Sequence, residues 1–222
     1  MTSAPEILAN RCCVLLDFDG PVCAVFGGPG ARIIGAQLSA FLTRIGVRVP
    51  DALFGTSDPF ALLRLAATVS DNAAEKADAE FRSLETAAVL TAPQTEGAVD
   101  VLRALTETGR SVAIVSNNSE QAIRVYLDRH KIGRFVAAIA GRTSPNVALL
   151  KPSPHLLHEA MNALAATPDD SVMVGDSASD IDAARAAGVA VIAFANKPTK
   201  RQDLALLQPD AIVSRMHDLL PN

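Results

Sequence analysis

The stretch "SVMVGDSASDIDAARAAGVAVIAF", residues 171–194, reads as strand, helix, strand. Its two ends, "SVMVG" (171–175) and "VAVIAF" (189–194), are apolar at almost every position instead of alternating. That is the pattern of parallel strands covered on both faces. The middle ends on Gly188, placed where a glycine closes a helix. Working outward, the same unit recurs. "CCVLL" (12–16), "SVAIV" (111–115) and "FVAAIA" (135–140) read as further buried strands, and "DAIVS" (210–214) as a weaker sixth. Thr95 is placed to cap a helix running to Gly109, and Ser119 another running towards Gly133. Ser153 and Pro154 have the form of an N-cap and first-turn proline. Strand and helix in repetition predict an α/β fold with a doubly wound parallel sheet.

One segment breaks this rhythm. Between the first strand and Thr95 lie some seventy residues with no convincing strand. They read as three helices, roughly 30–46, 58–70 with Asp58 as cap and Pro59 in its first turn, and 72–90. The last aligns Ala73, Ala77, Phe81, Leu84 and Ala88 on one stripe, with charged residues expected opposite. A crossover needs only about a dozen residues, so the segment predicts an inserted helical domain over 26–91, with a core from 1–25 and 92–222. The glycine-rich "FGGPG" (26–30) and "TAPQT" (91–95) are the expected hinges. "FGGPG" lacks the Gly-Lys-Ser/Thr ending of a nucleotide phosphate loop.

Composition narrows the function. The chain has 222 residues, 49% apolar and 20% charged, within the globular range. A net charge of −4 gives no reason to expect nucleic acid or an acidic membrane as partner. No stretch approaches the ~20 apolar residues of a membrane helix, and "MTSAPEILANR" lacks the apolar segment of a secretory signal. Cys12, Cys13 and Cys23 form no zinc pattern. Cys12 and Cys13 are expected as small buried hydrophobes of a strand in a reducing, cytoplasmic compartment.

In open parallel sheets, ligands bind beyond the carboxyl ends of the strands. At those ends stand Asp17 and Asp19 after the first strand, Ser116, Asn117 and Asn118 after "AIV", and Asp176 with Asp180 after "MVG". Lys151 precedes a helix that opens towards the same edge. Each has a plain explanation alone: an Asp-Gly turn, a capping serine, a solvated lysine, an exposed helical acid. Together they place four acids, a hydroxyl and a lysine at one point. Carboxylates so close cannot all stay ionised unaided, and a hard divalent cation such as Mg²⁺ is their natural partner. With a lysine and helix N-termini added, the site suits a phosphoryl group.

The segments "DFDGPV" (17–22), "SNN" (116–118), "LLKPSP" (149–154) and "GDSASD" (175–180) occur in that order. In them the chain resembles the haloacid-dehalogenase-like (HAD) hydrolases along most of its length. The helical insert resembles the cap of the phosphoglycolate-phosphatase-like branch. The resemblance implies a Rossmann-like core and roles for individual residues. Asp17 would be the nucleophile, and Asp19 the acid and then the base. Ser116 and the Asn117 backbone would bind phosphate, and Lys151 would neutralise both phosphate and nucleophile. Asp17, the Asp19 carbonyl and Asp176 would hold Mg²⁺, with Asp180 in support. An acid at Asp19 implies phosphate esters, because an alkoxide needs the proton that a halide does not. The expected activity is Mg²⁺-dependent hydrolysis of a small phosphorylated metabolite, with phosphoglycolate the nearest analogy. A phosphomutase and a catalytically silent binding protein are the alternatives.

Pro21 stands where the family pattern has threonine, which questions the geometry of the loop leaving the site. In the insert, Arg64 is a candidate substrate contact, with Arg32, Ser57 and Asp58 behind it. Arg142 of "GRTSPN" is another. His155 and His158 share a helical face and read as surface residues, and "ANKPTKRQD" (195–203) reads as solvated.

Overall fold

The computed structural model describes residues 2–27 and 30–221. Among them a parallel sheet joins β1 (Cys13–Leu16), β2 (Ser111–Ser119), β3 (Ala138–Arg142), β4 (Ser171–Gly175), β5 (Ala190–Phe194) and β6 (Ala211–Val213). The strand order is β3-β2-β1-β4-β5-β6. All five pairings are parallel. The helices are α1 (Ala4–Ala9), α2 (Gly30–Arg44), α3 (Phe60–Val69), α4 (Asp71–Val89), α5 (Ala98–Glu107), α6 (Glu120–His130), α7 (His155–Ala163), α8 (Ala178–Ala186) and α9 (Pro198–Leu206). None is long and apolar enough to cross a membrane.

The uniformly apolar strands are explained by burial on two sides. Val14, Leu16, Val112, Ile114, Val172 and Val174 face one apolar cluster, while Leu15, Ala113, Val115 and Met173 face another. Alternate side chains point to opposite faces of a strand, so both sets must be apolar when helices cover both faces. The strand order reverses at β1, and the crevice between β1 and β4 is the switch point where such sheets take ligands.

The segment between β1 and α5 is helical as expected, and α2, α3 and α4 enclose a third cluster with Leu38, Leu42, Leu62, Ala77 and Phe81 at its centre. The two connectors to the sheet run side by side. Ala24 N–H donates to Pro93 O at 3.0 Å and Thr95 N–H to Val22 O at 3.0 Å. Gly28 and Pro29 of the first hinge lie outside the described residues.

Several local expectations are corrected. Thr95 does not cap α5; Gly97 does, and the Thr95 hydroxyl donates instead to Gly20 O at 2.5 Å. The third strand begins at Ala138, because Phe135 ends a short 3₁₀ turn. Pro154 is the N-cap of α7, one residue later than Ser153. Cys12 lies just before β1 and is exposed, whereas Cys13 and Cys23 are buried. On α4, Asp78 and Glu85 are buried, not on the solvent face. Ser119 does cap α6, accepting from Ala122 N–H at 3.4 Å. Asp58 accepts from Phe60 N–H at 3.1 Å in the first turn of α3.

Candidate active site

The carboxyl ends of β1, β2 and β4 bring the distant segments to one cavity of about 200 Å³. Asp17, Asp19, Ser116, Asn117, Lys151 and Asp176 all line it. Asp17 follows β1 directly, and its N–H continues the ladder to Val174 O at 2.9 Å. Its Oδ1 accepts from Phe18 N–H at 2.7 Å and lies 2.9 Å from Lys151 Nζ. Asp19 is held similarly: Oδ1 accepts from Val25 N–H at 2.6 Å and Phe26 N–H at 3.1 Å. Among the described residues, Oδ2 of each aspartate takes no hydrogen bond from protein.

The turn that leaves Asp19 tolerates Pro21. Phe18 O accepts from Val22 and Cys23 N–H at 3.1 and 3.2 Å, and Gly20 N–H donates to Cys23 O at 2.7 Å. The loop thus closes without a donor at position 21, where proline has none. Gly20 is required twice over. Its φ is +112°, and a Cβ there would overlap the Asp176 carboxylate.

Lys151 is buried and donates from Nζ to Val115 O at 2.9 Å and Asp180 Oδ1 at 2.5 Å. Its main chain is fixed by Asn117, whose Oδ1 accepts from Lys151 N–H at 2.7 Å and whose Nδ2 donates to Lys151 O at 3.0 Å. Asp180 spends its other oxygen on the N-terminus of α8, accepting from Ser177 N–H at 3.0 Å and the Ser177 hydroxyl at 2.6 Å. Ser116 Oγ is buried and donates to Asn118 Oδ1 at 3.2 Å.

Asp17, Asp176 and Asp180 offer oxygens that lie within 4.8 Å of one another. Burial, with Asp180 and Asp176 adding repulsion, pushes the Asp17 carboxyl up to about 7 against the pull of Lys151. Burial likewise raises Asp19 to about 6, opposed by the Phe26 and Val25 N–H groups. Burial alone would lower Lys151, but Asp17 and Asp180 outweigh it and hold the ammonium at about 12. Asp176 is raised by burial and drawn back by Lys200. Such strain among carboxylates is relieved by a cation.

Sequence reasoning missed a second polar layer. Lys200 pairs with Asp176, and Asn196 Nδ2 donates to the same Oδ2 at 3.0 Å. The stretch expected to be solvated therefore sends two side chains into the site. Arg142, a candidate substrate contact, is instead buried in ion pairs with Asp78 and Glu85 of α4. Its Nε donates to Asn117 O at 3.2 Å, and its guanidinium lies 4.8 Å from the centroid of the Phe81 ring. Glu85 also accepts from Ser119 N–H and Asn118 Nδ2, both at 3.1 Å. The insert is thus bound to the carboxyl ends of β2 and β3 through buried charge. The signal was present: Asp78 and Glu85 are seven apart, two turns of α4, beside the apolar stripe. Arg64 is not brought to the cavity. It pairs with Asp58 at the surface, the two side chains 55% and 51% exposed. Arg32 and His158 are exposed, and His155 faces Glu159.

The profile of the haloacid dehalogenase-like hydrolases matches residues 64–194. That match contains Ser116, Lys151, Asp176 and Asp180, while Asp17 and Asp19 lie before it. Phosphoglycolate phosphatase 1 of Pseudomonas aeruginosa is 34% identical over 126 residues, 56% of this chain and 45% of the relative. Pyrophosphatase PpaX of Bacillus mycoides is 29% identical over 126 residues, 57% of this chain and 58% of the relative. The chain spans about half the length of the curated relatives it matches. Among solved structures, a predicted phosphatase from Clostridium acetobutylicum superposes with a TM-score of 0.74 at 18% identity, covering 94% of this chain and 96% of that one. CbbY from Rhodobacter sphaeroides, in complex with phosphate, superposes with a TM-score of 0.68 at 18% identity over the same shares. These likenesses show the fold. With the profile match across more than half its length, the chain belongs to the haloacid dehalogenase-like hydrolases.

Proposed function

We propose that the chain hydrolyses a small phosphate monoester through an aspartyl-phosphate formed on Asp17. One observation carries this reading: two neighbouring carboxylates each have one oxygen tied to backbone N–H and, among the described residues, the other without a protein donor. The tied oxygens fix orientation, and the others are available for chemistry. Asp17 Oδ2 attacks phosphorus, and the bond from phosphorus to the ester oxygen breaks. Asp19 gives its proton to the departing alkoxide. Asp19, now ionised, takes a proton from water, whose oxygen attacks the phosphorus of the aspartyl-phosphate. The bond to Asp17 breaks and free phosphate leaves with both carboxyl groups restored. A carboxyl held near 6 suits a group that both gives and accepts a proton near neutral pH. Lys151, pinned between Asp17 and Asp180, orients the nucleophile and supplies a fixed positive charge for the phosphoryl oxygens. Ser116 and the Asn117 backbone bind those oxygens at the end of β2.

The donor set fits Mg²⁺. It is all oxygen, and four aspartates face two lysines, Lys151 and Lys200, leaving two negative charges to balance. Asp17, Asp176 and the Asp19 carbonyl would hold the ion. Asp180 would support them, since Lys151 and Ser177 already occupy its oxygens. Bound there, the ion offsets the repulsion between an anionic nucleophile and an anionic substrate. Residues 26–91 act as the cap, 1–25 and 92–222 as the core, and the cap excludes water during the first transfer. Three free cysteines agree with a cytoplasmic setting.

The test is phosphate release from a panel of small monoesters with Mg²⁺. Asp17→Asn should abolish release while leaving the circular dichroism spectrum unchanged. Turnover by that variant comparable to wild type would refute the nucleophile. Phosphoryl return to a sugar without release of phosphate would identify the mutase instead.

A further inference from the structure

Resting on the hydrolase reading, we infer that the leaving group of the preferred substrate is small, uncharged and apolar. The alternative is a group bearing a carboxylate. Among the described residues, the insert contributes two side chains to the cavity, Phe26 and Phe60. Both rings are held in place by Phe81. Phe26 stacks on it at 6.1 Å between centroids, Phe60 meets it edge-on at 5.3 Å, and the two meet each other edge-on at 5.9 Å. Three aromatic rings in mutual contact make a rigid apolar wall.

Among the described residues, no cation of the insert lines the cavity. Arg64 is tied to Asp58 at the surface, Arg82 to Asp78, and Arg142 to Asp78 and Glu85. Among the described residues, Lys151 is the one cation lining the cavity, and it is committed to Asp17 and Asp180. Lys200 is committed to Asp176. A phosphoryl group seated among Ser116, Lys151 and the aspartates would therefore direct its ester oxygen and carbon substituent at phenyl rings. A carboxylate pressed against those rings exchanges water for apolar surface and finds no donor on them. A short alkyl or aryl substituent loses nothing and buries apolar surface. The cavity of about 200 Å³ is also smaller than the ~300 Å³ at which drug-sized ligands begin to fit.

The full chain with Mg²⁺ should be assayed on propyl phosphate and phenyl phosphate against phosphoglycolate. The uncharged esters should lead in kcat/KM by roughly a hundredfold, the discrimination expected from one unpaired desolvated charge. Phe60→Lys should narrow that ratio at least about tenfold by giving the carboxylate a partner. Equal or better turnover of phosphoglycolate by the wild type would overturn the inference. Calorimetric binding of propylphosphonate and phosphonoacetate separates this inference from the hydrolase reading. If no ester is hydrolysed yet propylphosphonate binds more tightly, the hydrolase reading fails and the apolar wall stands. If phosphonoacetate binds as tightly or more tightly, the apolar wall fails whatever the activity.

Discussion

Replacing Arg142 by methionine would keep an unbranched apolar stem and remove only the guanidinium. The side chain of Arg142 is 1% exposed, and those of its partners Asp78 and Glu85 are 2% and 0% exposed. Without the guanidinium, Asp78 keeps its pair with Arg82, while Glu85 keeps only the hydrogen bonds from Asn118 and Ser119 among the described residues. Removing one member of a buried ion pair costs about 3–5 kcal/mol, here because the Glu85 carboxylate loses its ion-pair partner. Loss of the stacking on Phe81 adds roughly 0.5–2 kcal/mol. For a chain of 222 residues, each kcal/mol corresponds to about 2–4 °C of melting temperature, so Tm should fall by at least ~6 °C. Urea unfolding followed by circular dichroism measures the same loss. Arg64→Ala is the internal control, since its pair with Asp58 is half exposed and should be worth under about 1 kcal/mol. A second readout follows from geometry. Arg142 Nε holds Asn117 O, so the variant should also bind inorganic phosphate more weakly. Combining Arg142→Met with Glu85→Gln should recover part of the stability, because glutamine keeps a neutral acceptor for Ser119 N–H. An Arg142→Met loss no larger than that of Arg64→Ala would refute the argument from burial.

Other expectations follow from the site. Asp19→Asn should slow alkyl phosphates more than activated aryl phosphates, whose leaving groups need no proton; equal losses measured in kcat would remove Asp19 from the acid role. In chelator, Tm should fall as pH rises from ~5 to ~8, since folded Asp17 keeps its proton up to about 7 while the unfolded group releases it near 3.8. The proton competes with the cation, so the Tm gain on adding Mg²⁺ should be larger at pH ~8 than at ~5.5; a gain independent of pH would separate the metal from Asp17. Gly175→Ala would place a methyl group where Asp180 Cβ sits, and should cost about 1–3 kcal/mol and weaken phosphate release together, as read by urea unfolding and steady-state kinetics.

Much of this protein is written locally. Runs such as 171–175 specify strands buried on both faces, because apolar side chains at both parities leave no face for water. Gly188, at φ +70°, ends α8 as its position suggested, and Ser119 caps α6. Asp17, Asp19, Ser116 and Asp176 were legible because parallel strands all deliver their carboxyl ends to one edge. The resemblance in the surrounding motifs then suggested a chemistry for them. Other features depend on chain closure. Asp78 and Glu85 look like ordinary helical acids until Arg142, 64 and 57 residues away, is folded against them. Lys200 and Asn196 looked solvated because nothing near them in sequence shows that α9 begins beside Asp176. Arg64 and Arg142 have the same chemistry, and burial alone makes one a surface pair and the other the link between insert and sheet. Sequence by itself determined the elements and the acids at their ends, through interactions that act within a few residues. Only the tertiary structure decided which charges lose their water and must find each other, because desolvation belongs to the packed whole.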